Sequence, residues 1–289
     1  MTSLPPLVPA RISSSLIRLV VFVIVTVILW WFLAGLITPF VETLVASALS
    51  LGLTVTVTTA VMMRIYEMQP FHVVGFFFNR SGAVHLGIGL MLGAGSSLLL
   101  VVVQWVCGWA RFERVGFLSH GVLTLSFWFL VLVIGAAGEE LLFRGYGFQH
   151  LIRAFGPWFS ITSTSALFAW GHSANPAFSR VGMINTALFG LLFGYAYWRT
   201  RDLWLPLGMH FAWNFSLAVV GSNVSGLKIK LLGLSVVPAG PALWSGGEYG
   251  PEASLLATIA LAAMVVFVWR APLERQQQGL LSARETDRP

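Results

Sequence analysis

Glu139 and Glu140 stand side by side after a long apolar run, in VLVIGAAGEELLFRGYGF, and they are two of only eleven acidic residues in 289. Among six histidines, His172 in LFAWGHSANP and His210 in LPLGMHFAWN lie in comparably apolar surroundings, and Asn214 follows His210 by four positions. Carboxylate, imidazole and amide groups in such segments are expensive to bury and mark functional sites by default. Together they can do one demanding reaction: a carboxylate takes a proton from water, and imidazole and amide N–H groups stabilise the oxyanion that forms when the water attacks a carbonyl.

Spacing sorts the roles. Residues four apart share a helix face, so His210 and Asn214 project together, as do Phe168 and His172. Glu140 and Arg144 have the same spacing and can neutralise each other. Glu139 points about 100° away around the helix, which leaves it as the reactive carboxylate. A lone histidine in an apolar helix more often serves packing, and His72, His85, His120 and His150 fit that description. Glu139, His172, His210 and Asn214 differ because they fall on three helices at depths that can match.

The elements that must position these groups are membrane helices. Hydrophobic residues make up 57% of the chain and charged residues 10%, against about 25% charged in soluble domains. The mean hydropathy is +0.81. Such a chain cannot build a water-facing surface, and its net charge of +6 is dispersed along the sequence, unlike the clustered basic patch that nucleic acid requires. A spanning helix takes about 20 apolar residues. Eight candidates appear, near Leu19–Ile37, Thr43–Met63, Ala83–Cys107, Val122–Ala137, Trp158–Trp170, Val181–Trp198, Leu203–Val220 and Ala253–Trp269. The first lacks a clear small-residue cleavage site and reads as a retained helix.

With the N-terminus in the cytoplasm, Arg11, Arg18, Arg64, Arg80, Arg144, Arg153, Arg199, Arg201, Arg270, Arg275, Arg284 and Arg288 fall inside, and Arg111, Arg114, Arg180, Lys228 and Lys230 outside. This bias favours both termini inside. The expected architecture is an all-α polytopic bundle of about eight spans. Residues 1–271 form one membrane domain with a catalytic core near 131–220, and residues 272–289 form a polar, disordered tail. Segment Asn223–Glu252, rich in Gly and Pro, is expected as an outer loop. Gly89/Gly93 and Gly190/Gly194 have the spacing of close helix packing. The fourth helix is expected to continue past Arg144 to Phe155 and to turn at Gly156–Pro157. Pro176 and Pro206 are expected to mark irregular backbone around a cavity.

Three stretches in order, EELLFR at Glu139–Arg144, FAWGH at Phe168–His172 and HFAWN at His210–Asn214, resemble the EExxxR, FxxxH and HxxxN motifs of the CPBP family. This is the CAAX prenyl endopeptidase and bacteriocin-processing family of intramembrane proteases. The likeness covers about Val131 to Val220, with no departure at the polar motif positions. It implies an all-helical membrane core of about eight spans, a catalytic Glu139, a site lined by His172, His210 and Asn214, and support from Glu140 and Arg144. It also implies a peptide or protein substrate, in some members lipidated, and an integral location, here expected in a bacterial inner membrane.

Two chemistries remain open at this level. Glu139 can act as a metal-free base. Alternatively Glu139, His172 and His210 can bind zinc, with water in the fourth position and Glu140 as base, although the H-E-x-x-H pattern is absent. Two other functional classes use the same residues: a proton-coupled transporter, and a non-catalytic scaffold or immunity protein that keeps a protease-like fold.

Overall fold

The computed structural model describes residues 7–116, 121–229, 231–277 and 279–281, with side chains from residue 13 onward. His120, Lys230, Arg284 and Arg288, read above for their roles or their topology, lie outside the described residues, as does the Arg11 side chain.

Long apolar runs without helix breakers become helices because the backbone must satisfy its own hydrogen bonds in lipid. The order is α1 (Leu7–Ile37), α2 (Thr43–Met62), α3 (Arg80–Val106), β1 (Ala110–Arg114), α4 (Gly121–Arg144), α5 (Tyr146–Phe155), α6 (Pro157–Gly171), α7 (Arg180–Thr200), α8 (Trp204–Val219), β2 (Leu234–Pro238), the single turn α9 (Ala242–Ser245) and α10 (Leu255–Arg270). The protein is an all-α membrane bundle. Five helical stretches are long and apolar enough to cross a membrane: Ser13–Ile37, Thr43–Glu67, Arg80–Val106, Gly121–Phe155 and Arg180–Thr200. The helices α6, α8 and α10 coincide with the other three expected segments and are shorter than these five stretches, at 15, 16 and 16 residues.

Glycine sets the closest approaches. A Cβ on Gly89 would lie 2.5 Å from the Leu205 carbonyl oxygen, and one on Gly93 would lie 2.3 Å from that of Met209. Helices α3 and α8 therefore cross backbone to backbone, as the spacing of Gly89 and Gly93 anticipates. Gly138 does the same for α4 against α2, where a Cβ would stand 2.8 Å from the Gly52 Cα. This contact lies one residue before Glu139, so it fixes the height and rotation of α4 at the site.

The expected continuous helix from Val122 to Phe155 is broken. Helix α4 ends at Arg144, Gly145 takes φ −80° and ψ −130°, and α5 starts afresh at Tyr146. The Gly145 N–H still reaches the Leu141 carbonyl at 3.0 Å, and a Cβ at Gly145 would collide with that oxygen at 2.2 Å. Pro206 lies in the first turn of α8, where a missing N–H costs no intrahelical bond, so it does not distort the backbone as expected.

Two features were not anticipated. The strands β1 and β2 pair antiparallel, from Ala110 opposite Pro238 to Arg114 opposite Leu234, and tie the α3–α4 and α8–α10 connections together at one end of the bundle. At the other end, the chain after α10 packs onto the protein rather than hanging free. Gln276 is buried, its N–H donates to the Thr200 carbonyl at 2.8 Å, and its side-chain amide pairs with that of Asn79 at 3.0 Å in both directions. A buried amide pair thus anchors the chain at Gln276.

Candidate active site

Glu139, His172, His210 and Asn214 line one cavity of about 1090 Å³. Helix α4 supplies Glu139, the C-terminal cap of α6 supplies His172, and α8 supplies His210 and Asn214. The rest of the lining is mostly apolar and comes from α1 and α2, the facing sides of α4–α6, and the segment Val224–Ile229.

The two adjacent carboxylates have different partners. Glu140 and Arg144 are both fully buried. Arg144 donates from Nη1 to Glu140 Oε1 at 3.2 Å and from Nη2 to the Gly190 carbonyl at 3.1 Å. Its guanidinium also sits over the rings of Phe168 and Phe193, at 4.9 and 5.5 Å from their centroids. A buried charge is tolerated only when paired and hydrogen-bonded in this way. Glu139, one residue away, keeps 27% of its side chain exposed. Its Oε2 makes no hydrogen bond to protein among the described residues.

His210 bridges the two acids. Its Nδ1 lies 2.8 Å from Glu140 Oε1, and its Nε2 lies 3.7 Å from Glu139 Oε2, beyond direct hydrogen-bond reach. Phe193 stacks on the imidazole with centroids 5.1 Å apart, and Phe168 approaches edge-on at 6.0 Å, so the ring has one available plane. His172 is oriented by its own helix, with Nδ1 2.8 Å from the Phe168 carbonyl oxygen. A carbonyl only accepts, so Nδ1 carries the proton, and the neutral ring presents Nε2 as an acceptor. The four-residue spacing from Phe168 to His172 thus produces a fixed tautomer as well as a shared face.

Among the described residues no three His, Cys, Asp or Glu side chains come together so as to hold a metal ion. The Nδ1 atoms of His172 and His210 are held by the Phe168 carbonyl and by Glu140, which leaves both Nε2 atoms for the chemistry of the site.

The histidines read as packing residues have other partners. His85 is buried against Asp202, Nδ1 to Oδ2 at 2.5 Å. His150 is buried with Nε2 3.2 Å from Glu67, and His72 is exposed beside Phe77.

One site neighbour escaped the sequence reading. Glu252, in the turn before α10, is buried and accepts from Trp213 Nε1 at 3.0 Å and from Ser225 Oγ at 2.9 Å. Trp213 directly precedes Asn214, and Ser225 lines the cavity. Nothing in the local sequence signals this, because the contacts close over 39 and 27 positions.

Comparison with known families returns a match for residues 121–216, the span from α4 through most of α8. The matching model is Rce1-like, described as type II CAAX prenyl endopeptidase Rce1-like. No curated protein and no solved structure matches the chain.

Proposed function

We propose a glutamate-driven hydrolytic mechanism for this chain, which through residues 121–216 belongs to the CPBP/CAAX protease family. It is an intramembrane peptidase of CAAX type, a multi-pass membrane protein whose substrate is a peptide or protein. In our reading the reaction is carried by Glu139, His172, His210 and Asn214. The observation that carries this reading is their convergence from three helices on one cavity, with Arg144 bonded to Glu140 Oε1 and Glu139 Oε2 accepting no hydrogen bond among the described residues.

The attacking water donates one proton towards Glu139 and the other towards Nε2 of His172, two acceptors that fix its orientation. Glu139 removes the first proton as the water oxygen bonds to the scissile carbonyl carbon. The carbonyl electron pair moves onto oxygen. The Asn214 amide and Nε2 of His210 donate to that oxyanion. His210 already donates through Nδ1 to Glu140, so donation at both nitrogens requires the imidazolium. Glu139 then delivers its proton to the departing amine as the C–N bond breaks. This closes the cycle with no net change in the protein.

The apolar part of the cavity, where Phe22, Val23 and Val27 of α1 face Phe159 and Leu167 of α6, would accommodate the lipid of a prenylated substrate. We assign the end that gathers Arg18, Arg153, Arg199 and Gln276 to the cytoplasm, because it collects the basic residues. The bundle as a whole we assign to a cell membrane.

The test uses the full chain in proteoliposomes with a fluorescence-quenched farnesylated peptide that ends in a CAAX sequence. Wild type is expected to release the tripeptide, and Glu139→Gln and His172→Ala are expected to insert normally and release none. Full cleavage by both variants overturns the mechanism. Preserved biological function in Glu139→Gln would instead favour a non-catalytic scaffold.

A further inference from the structure

Ser225 is held at every polar atom of its backbone and side chain. Its N–H and its hydroxyl both donate to Glu252 Oε2, the latter at 2.9 Å, and its carbonyl accepts from Asn175 Nδ2 at 3.1 Å. The residue adopts φ +49°, a left-handed conformation that a non-glycine residue keeps only when its surroundings impose it. Next to it, Gly226 has φ +82°, and a Cβ there would lie 2.0 Å from the Pro176 carbonyl oxygen. The segment carrying Val224, Ser225, Leu227 and Ile229 is thereby pressed backbone to backbone onto the loop that follows His172, and all four residues line the cavity.

Glu252 is itself rigidly placed. Asn185, fully buried in α7, donates to the Glu252 carbonyl at 2.7 Å and to that of Ser254 at 2.9 Å. The second carboxylate oxygen accepts from Trp213, on the turn of α8 that carries His210 and Asn214. One side chain therefore joins three pieces of the cavity: the wall at Val224–Ile229, α8, and, through Ser225 and Asn175, the loop after His172. Burial pushes the Glu252 carboxyl above the ordinary carboxylate range, opposed by the donors of Ser225 and Trp213 and by the nearby His172.

We propose that Glu252 is a positioning residue for hydrolysis, holding segment Val224–Ile229 as the cavity wall beside His172 and fixing, through Trp213, the turn of α8 that presents His210 and Asn214. This rests on the peptidase reading above. It assigns to Glu252 no contact with substrate. It predicts that losing the carboxylate opens the wall locally and misplaces the reacting groups.

Glu252→Gln keeps the volume but turns an N–H pair towards buried donors, which leaves at least one of them unsatisfied. In a Cys107→Ser background, Val224→Cys reports the wall and Leu203→Cys, buried at the other end of the bundle, reports global loosening. With N-ethylmaleimide, Glu252→Gln is expected to speed labelling at 224 by about tenfold or more and to leave labelling at 203 unchanged. It is expected to lower kcat/KM for the farnesylated peptide by about tenfold or more. Unchanged labelling at 224, or an equal rise at 203, overturns the proposal, as does faster labelling at 224 with unchanged kcat/KM. If wild type cleaves nothing, the peptidase reading fails on its own, and the two labelling rates still decide whether Glu252 holds the wall. Should Glu252→Gln fail to fold, Ser225→Ala removes only the hydroxyl contact and is expected to give the same pattern at smaller amplitude.

Discussion

Two clusters in this molecule are built from the same residue types, and they differ in how completely their charges are answered. Around Glu67, Arg18 donates at 2.5 Å, the Tyr146 hydroxyl at 3.1 Å and His150 stands at 3.2 Å, with Arg153 3.9 Å from the other oxygen. These contacts join α1 and α5 to the turn that ends α2, and Glu67 is hardly exposed. Around Glu139 the pairing stops short. Arg144 and His210 hydrogen-bond Glu140 instead, and Glu139 lines the cavity with an Oε2 that accepts no hydrogen bond among the described residues. A glutamate surrounded by donors holds helices together. One denied its donors, beside oriented imidazoles, is available to take a proton.

That contrast can be broken from either side. The largest effect is expected for Glu139→Gln, with cleavage falling by about 10²–10⁴-fold, the usual contribution of a general base, and thermal unfolding in detergent unchanged. Arg144→Met breaks a buried ion pair and leaves Glu140 with His210 as its remaining partner, and is expected to destabilise the protein by about 3–5 kcal/mol, seen as a lowered unfolding midpoint and loss of detergent-stable protein. Asn214→Ala removes one oxyanion donor, so kcat is expected to fall by about 10²–10³-fold with the substrate KM nearly unchanged. Glu67→Gln leaves the donors of Arg18 and Tyr146 poorly matched and is expected to lose about 1–3 kcal/mol of stability, with kcat per folded molecule equal to wild type.

How much of this the sequence discloses depends on the range of the interaction. The bundle was legible because lipid demands apolar helices, and each expected span is helical. The four-residue spacings of Glu140 with Arg144, Phe168 with His172 and His210 with Asn214 were legible because an α-helix turns every such interval into a shared face. The separation of Glu139 from Glu140 follows from the same geometry. The break at Gly145 was hidden because the apolar and polar pattern runs through it, and only the clash with Leu141 shows why glycine stands there. The β1–β2 pair was hidden because ARFER and LSVVP are short and meet across more than a hundred positions. Glu252 reads in sequence as a loop acid before a helix, and its partners Trp213 and Ser225 become visible only when the chain is folded.

The most direct test compares Glu139→Gln with Glu67→Gln in proteoliposomes, as single-turnover cleavage of the farnesylated peptide normalised to folded enzyme. The account requires Glu139→Gln to be folded and inactive and Glu67→Gln to be weakened in stability yet fully active once folded. Wild-type turnover by Glu139→Gln, or an equal loss of turnover in both variants, would contradict it.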